Sequence, residues 1–330
     1  MTTVLTSLGV AVPPRVVTND DLARTLDTSD EWIRTRTGIA ERRFVDPGVT
    51  TADLAVEAGA NALAQRTDAV DTVIVATCTA DRLIPGVAPE VAARLGLAEA
   101  AAFDLDAACS GFVYALSVAT GLIAAGIAKG VLLIGAETMT RVTDQRDRAT
   151  AVLFGDGAGA VVLAPGQQGQ PGAVGPFDLG SDGSGADLLE VPAGGTRQPL
   201  DADAIARRAQ YLKMDGKEVY RQAVRRMVSS SLAVLDKAGL RPDEVDRLVG
   251  HQANARILGA VADRLGVPEQ RRFLNVARYG NTSAASIPLA LADADLVVGE
   301  RVLLTAFGAG MSWGSALLSW PDLAARPESM

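Results

Sequence analysis

One histidine stands in this chain of 330 residues: His251, in the string His251-Gln252-Ala253-Asn254. Any histidine-based proton transfer or metal ligation must use that residue, so a two-histidine site is excluded by counting. Cysteine is nearly as scarce. Cys109 lies in Ala107-Ala108-Cys109-Ser110-Gly111-Phe112, after an apolar strand-like run, and Cys78 is the other. The third element is Asn281, within Tyr279-Gly280-Asn281-Thr282-Ser283. A cysteine, a histidine and an asparagine, each beside small residues or turn formers, point to a nucleophilic triad.

Cys109 is expected at a helix N-terminus, where unpaired N–H groups and the positive end of the dipole favour thiolate over thiol. Ser110-Gly111 leave the backbone there uncrowded. The commoner fate of a cysteine is burial without chemistry, and Cys78, which lacks the small-residue turn, reads as core or pocket wall. His251 follows Leu248-Val249-Gly250, a strand end of the kind where α/β proteins place ligands, and is expected to open a helix. Asn281 taken alone reads equally as a turn or helix cap. In Ala306-Phe307-Gly308-Ala309-Gly310 the backbone can approach another group closely, and its N–H groups could stabilise an oxyanion. No helix pattern follows, so it is not a dinucleotide loop. Gly155-Asp156-Gly157-Ala158-Gly159 runs into the apolar Ala160-Val161-Val162-Leu163 and is expected to form a turn between strands.

The elements that position these residues are written twice, at a separation of about 170 residues. Val73-Ile74-Val75-Ala76 is followed by a helix ending in Ala93-Arg94-Leu95-Gly96. Leu248-Val249-Gly250 is followed by one ending in Asp263-Arg264-Leu265-Gly266. Phe103 and Phe273 then open the next strands, and Val131-Leu132-Leu133-Ile134-Gly135 answers Val302-Leu303-Leu304-Thr305-Ala306. Counted back from those last strands, Cys109 and Asn281 fall at equivalent strand-to-helix turns, as Cys78 and His251 do after the preceding strand. The Pro- and Gly-rich stretch Pro165 to Gly172 is the seam, dividing the chain into halves 1–167 and 168–330. Apolar strands alternating with Ala-rich helices indicate a layered α/β fold with buried sheets.

Composition narrows the class further. At 48% apolar with 33 glycines the chain can bury a sizeable core. A net charge of −8 argues against a general nucleic-acid binder. Two cysteines cannot build a disulfide framework, and an active thiol needs a reducing compartment, so a cytoplasmic location is expected. Met1 to Val10 carries no basic residue and Pro13-Pro14 follows, so no secretory signal is read there. The uncharged stretch Phe112 to Ala128 falls short of a comfortable membrane span and is expected to be a helix buried on all sides.

Together these strings resemble the β-ketoacyl-acyl carrier protein synthase III family of thiolase-fold condensing enzymes. The likeness runs over nearly the whole chain: Asp30-Glu31-Trp32-Ile33, Arg36-Thr37-Gly38-Ile39, Arg42-Arg43, the Cys109 turn, Asp147-Arg148, Phe154 to Gly159, Met214-Asp215-Gly216, His251 to Arg256, Gly280 to Pro288, and Phe307 to Gly314. The resemblance implies an α/β thiolase fold, two duplicated α/β halves in a five-layer αβαβα arrangement, and a homodimer. It implies that an acyl-CoA acylates Cys109. His251 and Asn281 would then hold the thioester carbonyl of malonyl-acyl carrier protein as CO₂ leaves, and the enolate would attack the acyl-cysteine to give a β-ketoacyl product, initiating fatty acid or polyketide synthesis. Two neutral donors at a developing oxyanion lower that barrier without a carboxylate base. No metal or nicotinamide cofactor is implied.

The same resemblance assigns the backbone N–H groups of Cys109 and Ala309 to an oxyanion hole and packs Phe307 on the histidine. CoA and its pantetheine arm would meet Trp32, Arg36, Thr37, Arg148, Gly216, Tyr220, Ala253 and Asn254. Gln252, Arg256, Arg221 and Arg264 would form the carrier-protein rim. Cys78, Met139, Phe154, Leu212 and the partner chain's Ile84 would line the acyl pocket. Departures from the family pattern are Ala309 in a loop often all glycine, Tyr220 for phenylalanine, and Asp263 on a surface often basic. Ile84 replaces an aromatic seen in acetyl-specific members. Elongating synthases need a second histidine and thiolases a second catalytic cysteine late in the chain, and neither is present. The rivals that remain are an acyltransferase of a natural-product pathway that moves an acyl group to an alcohol or amine without decarboxylation, and a non-catalytic scaffolding partner.

Overall fold

The computed structural model describes residues 2–64, 69–167 and 169–323. Nine strands form one sheet: β1 (Thr2–Ala11), β2 (Thr72–Ala76), β3 (Ala101–Leu105), β4 (Val131–Thr138), β5 (Asp156–Gly166), β6 (Ala173–Ser181), β7 (Arg247–Gly250), β8 (Arg301–Gly308) and β9 (Ser312–Ser319). Their spatial order is β7-β8-β9-β6-β1-β5-β4-β2-β3. The first five strands thus lie on one side and the last four on the other. They join where β1 pairs with β6 through Thr3–Val174 and Val4–Ala173. Gln168, at the expected 167/168 boundary, lies outside the described residues.

Side-chain alternation stacks the helices on this sheet. Ile74 and Leu133 face α3 (Gly111–Ala124), whereas Val73, Val75 and Leu132 face α1 (Thr51–Leu63) and α2 (Ala88–Arg94). In the second half Val249 and Leu304 join the same inner core, with Ile287 and Leu291 of α6 (Ser286–Asp293). Leu248, Leu303 and Leu317 point the other way, onto α4 (Gly216–Ala238) and α5 (Ala255–Leu265). The order α1/α2, strands, α3/α6, strands, α4/α5 is the five-layer arrangement that the resemblance implies. Strands covered on both faces are buried at every position, so β2 and β4 show no in–out alternation.

Some sequence-based expectations differ from what forms. Phe273 opens no strand: its N–H donates to Leu248 O at 3.0 Å, beside a single bridge between Leu248 and Arg272. The Gly155-to-Gly159 string is not a turn, because β5 already begins at Asp156. That buried carboxylate accepts from Val45 N, Thr140 N and Thr140 Oγ1 at 2.8, 2.9 and 2.6 Å. The glycines serve packing instead: a Cβ on Gly159 would meet Pro288 Cβ at 2.6 Å. α3 is not buried on all sides as expected: Val118, Gly121 and Ala124 are exposed, as is Ile127 beyond its end. No helix among the described residues is long and apolar enough to cross a membrane.

The register of the internal repeat also shifts. Single 3₁₀ turns, Ala108–Ser110 and Ser283–Ala285, lead into α3 and α6. Ala108 and Ser283 both take left-handed backbone, φ 46° and 47°. Asp106 Oδ1 accepts from Ala108 N at 3.0 Å, and Asn281 Oδ1 from Ser283 N at 2.9 Å. Asn281 is therefore the counterpart of Asp106, and Cys109 that of Ala284. Counting back from the next strand misaligns them, because α3 has 14 residues and α6 only 8.

The two turns meet at the centre of the molecule. A Cβ on Gly135, near the end of β4, would lie 2.4 Å from Ala284 O. Backbone cannot yield as a flexible side-chain tip can, so Gly135→Ala is expected to destabilise the fold by about 1–3 kcal/mol. Urea unfolding should show a lower midpoint at unchanged slope.

Candidate active site

Cys109 follows β3 in the turn that starts α3, and it is 8% exposed. Its position is set from two sides. A Cβ on Gly308, the last residue of β8, would lie 2.7 Å from Cys109 N and 3.0 Å from Ser110 N, so only glycine lets that strand end reach the turn. Ser110 Oγ and Ser312 Oγ, 2.7 Å apart, tie the turn to β9.

His251 comes directly after β7, its N–H donating to Thr305 O on β8 at 2.8 Å. The ring is buried, with Nδ1 2.6 Å from Ser286 Oγ at the start of α6, and that oxygen also accepts from Gln252 N at 3.3 Å. His251 does not itself open a helix. Asn254 caps α5, accepting from Arg256 N at 2.8 Å. Asn281 is pinned by its backbone, its N–H donating to Leu153 O at 2.8 Å and its carbonyl accepting from Gly155 N at 3.0 Å.

These three residues line one cavity of about 520 Å³, with Phe307 and Ala309 from the β8 end. Cys78, Met139, Phe154 and Leu212 line it too, as do Gly216, Tyr220, Ala253 and Asn254. Ile84 does not: it is 88% exposed. Outside the cavity, two guanidinium groups lie against the Trp32 ring, Arg36 at 4.6 Å and Arg148 at 4.8 Å from its centroid. Arg221, Arg256 and Arg264 are exposed, with Arg221 paired to Glu218.

Two expected contacts are corrected by burial. Thr37 donates to Ile33 O at 2.7 Å and accepts from Ile39 N at 3.0 Å, so its hydroxyl is engaged in ending its own helix rather than meeting a nucleotide. Gln252 is 1% exposed, donates to Gly250 O at 2.8 Å and accepts from Asn275 N at 3.0 Å. It braces the loop behind His251 and presents no face to a docking protein.

Burial also governs the electrostatics. It pushes the Cys109 thiol up to about 12, with the Ser283 hydroxyl opposing that rise and the Glu137 charge adding to it. It pushes His251 down to about 3. Glu137, near the end of β4, is pushed up to about 7 by burial, which outweighs the opposing hydrogen bonds from Thr79, Ser283 and Cys78. Sequence reasoning did not single out Glu137, Ser283 or Ser286. The available signal for Glu137 was a lone acid in the apolar run Val131–Thr138.

A cysteine at a helix start, sharing an apolar cavity with a histidine and an asparagine on this five-layer fold, defines an acyl-transferring condensing enzyme. The family model for 3-oxoacyl-[acyl-carrier-protein (ACP)] synthase III matches residues 103–183, and the model for its C-terminal part matches 235–320. The chain is 54% identical over 325 residues to beta-ketoacyl-[acyl-carrier-protein] synthase III 3 of Streptomyces coelicolor, covering 96% of this chain and 97% of the relative. The crystal structure of 3-oxoacyl-(acyl carrier protein) synthase III from Pseudomonas aeruginosa superposes with a TM-score of 0.92 at 47% identity, covering 98% of this chain and 100% of that one. The priming beta-ketosynthase of a polyketide biosynthetic pathway superposes at 0.88 with 36% identity, covering 98% and 97%. The chain belongs to the β-ketoacyl-[acyl-carrier-protein] synthase III family.

The buried, depressed His251 is expected to stay neutral down to about pH 3. The unfolded chain takes up that proton below roughly 6.5, so this residue makes the fold less stable as the pH falls through that range. Because the chain has one histidine, NMR of its imidazole checks this directly. The ring signals should not move between pH 8 and pH 5 in the folded protein.

Proposed function

We propose that this enzyme condenses an acyl group from acyl-CoA with malonyl-acyl carrier protein, initiating fatty acid or polyketide synthesis. The observation that carries this reading is the meeting of Cys109, His251 and Asn281 in one apolar cavity. Cys109 attacks the acyl thioester, and the developing oxyanion is held by the N–H groups of Cys109 and Ala309. Free CoA leaves. Malonyl thioester then enters, and His251 and Asn281 donate to its carbonyl oxygen as CO₂ departs. Ser286 donating to Nδ1 leaves Nε2–H as the donor, and Ser283 N on Oδ1 leaves Asn281 its Nδ2. Both are neutral donors, which suits a dry site where a free charge would be costly.

Further out, Gly216, Tyr220, Ala253 and Asn254 flank the pantetheine arm, while Trp32, Arg36 and Arg148 take the nucleotide. Trp32 offers a flat ring with cations already against it, suited to a purine carrying phosphates. Arg256, Arg221 and Arg264 form the rim for an acidic carrier protein. The working unit is a homodimer of the cytoplasm. β3 is an edge strand whose Phe103 is exposed, and the nearby Leu83 and Ile84 stand 87% and 88% exposed in the single chain. A second copy would cover both and bring Ile84 to its neighbour's acyl pocket.

Intact mass spectrometry after exposure to an acyl-CoA should show one adduct on the wild type and none on Cys109→Ala. For His251→Ala and Asn281→Ala, CO₂ release from malonyl-acyl carrier protein is expected to fall roughly 10²–10³-fold, the usual loss for one oxyanion donor, with acylation less affected. CO₂ release that persists while acylation fails would reverse these roles.

Chain selectivity follows from the pocket wall. Ile84 is smaller than phenylalanine and Met139 adapts its shape, so isobutyryl-CoA should serve at least as well as acetyl-CoA. Ile84→Phe should move the ratio of kcat/KM toward acetyl, by the factor that about 1–3 kcal/mol per methylene allows. An unchanged ratio would place the wall elsewhere.

A further inference from the structure

Glu137 is a buried carboxylate that the condensation chemistry above leaves without a task. Its Oε2 accepts from Thr79 Oγ1 at 2.5 Å and Thr77 Oγ1 at 3.2 Å. Its Oε1 accepts from Ser283 Oγ at 2.9 Å and from the Cys78 thiol at 3.4 Å. Ser283 is the important neighbour. It lines the cavity beside Cys109, its hydroxyl opposes the rise that burial gives the Cys109 thiol, its Oγ lies 3.7 Å from the Cys78 sulfur, and its N–H orients Asn281. One hydroxyl therefore stands between the nucleophile and a buried acid.

We propose that Glu137, acting through the Ser283 hydroxyl, is the positioning residue that holds the proton of Cys109 during acylation. This rests on the reading of Cys109 as the acylated nucleophile. In the resting arrangement Ser283 donates to the Glu137 carboxylate and presents a lone pair to the Cys109 thiol. As the sulfur attacks the acyl carbon, the S–H bond breaks and its proton passes to Ser283 Oγ, while the proton of Ser283 moves to Glu137 Oε1. The acyl C–S bond to CoA then breaks, and the departing thiolate takes that proton to leave as CoA thiol. Atoms and charge balance, with Glu137 ionised again.

The physical case is a shared proton. Two anions so close in a dry pocket are costly, and the Glu137 charge raises the cost of ionising Cys109 and Cys78. A hydroxyl is the group that can serve either as donor or as acceptor, so it can reverse when the charge moves from Glu137 to Cys109. Glu137 is poised for this, held at about 7 by burial. The other titratable groups acting on the cluster are Cys78, on the loop after β2, and Asp106, on the nucleophile turn. Cys78 is driven well above its usual range.

The test uses the full chain and an acyl-CoA alone, reading Cys109 acylation by rapid-quench mass spectrometry between pH 5.5 and 8.5. CO₂ release from malonyl-acyl carrier protein is read in parallel. Wild-type acylation should rise with pH through an inflection near 7, as Glu137 ionises and can accept. Glu137→Gln keeps the acceptor oxygen but cannot take a proton. It should acylate at least roughly 10²-fold more slowly, a loss typical of acid–base assistance, and lose the inflection. Its acylation should fall at least ten times further than its CO₂ release. Ser283→Ala should behave alike, and the double variant should be no worse than either single one. Ser283→Ala alone carries the test if Glu137→Gln fails to fold. Variants with wild-type acylation and pH profile would overturn the relay, as would an equal fall of both reactions with the inflection kept. A wild type that forms no Cys109 adduct would overturn the nucleophile reading itself.

Discussion

Two strand-to-helix turns meet back to back at the centre of this molecule, and the rest of the structure is arranged so that they can. Gly135 lies against Ala284 O, Gly111 against Ala284 Cβ, and Gly308 against the N–H groups of Cys109 and Ser110. Gly135 and Gly308 tolerate no larger side chain without moving backbone, whereas a Cβ on Gly111 would meet Ala284 Cβ at 3.5 Å, an ordinary contact. The contact brings the first turn, with Cys109, and the second, with Asn281 and Ser283, to a common cavity, to which β7 adds His251. Because α3 and α6 leave the turns in the inner layer, each half buries one helix against the other's strands. Fold and site thus depend on one set of close approaches.

Dryness is the second constraint. The same burial that raises the Cys109 thiol lowers His251 and raises Glu137, so each polar group at the centre is driven toward its neutral form. Decarboxylation to an enolate suits such a site, since the charge of the malonyl carboxylate passes to the thioester oxygen, where neutral donors are already in place. Thiol activation is harder, because burial opposes thiolate more strongly than one helix start can favour it. A nearby group that can take up a proton answers that difficulty without exposing the cavity to water.

The outer surface repeats the same economy of means. Arg36 and Arg148 both lie against the Trp32 ring, so that surface is organised by cation–π contacts. On the opposite flank β3 ends the sheet with an exposed Phe103, and the Leu83–Ile84 pair stands nearly bare. Apolar groups so exposed, beside an open strand edge, are the observation on which the proposed pairing of two copies rests.

Much of this was legible in the residues. The scarcity of histidine and cysteine, the small residues around Cys109 and Asn281, and the doubled run of apolar strands gave the fold class and three residues of the cavity, because those features are local or periodic. What failed depends on helix lengths and on hydrogen bonds that residue types alone do not show. The repeat was matched three residues out, since helix length rather than turn chemistry was counted; Gln252 and Thr37 were placed at surfaces, though their hydrogen bonds turn them inward. Glu137 went unnoticed, because only folding sets Thr77, Cys78, Thr79 and Ser283 around it. The residue types determined which chemistry was available. Burial and cross-half contacts, which no single segment encodes, decided which groups are neutral, which are braced, and which face one another.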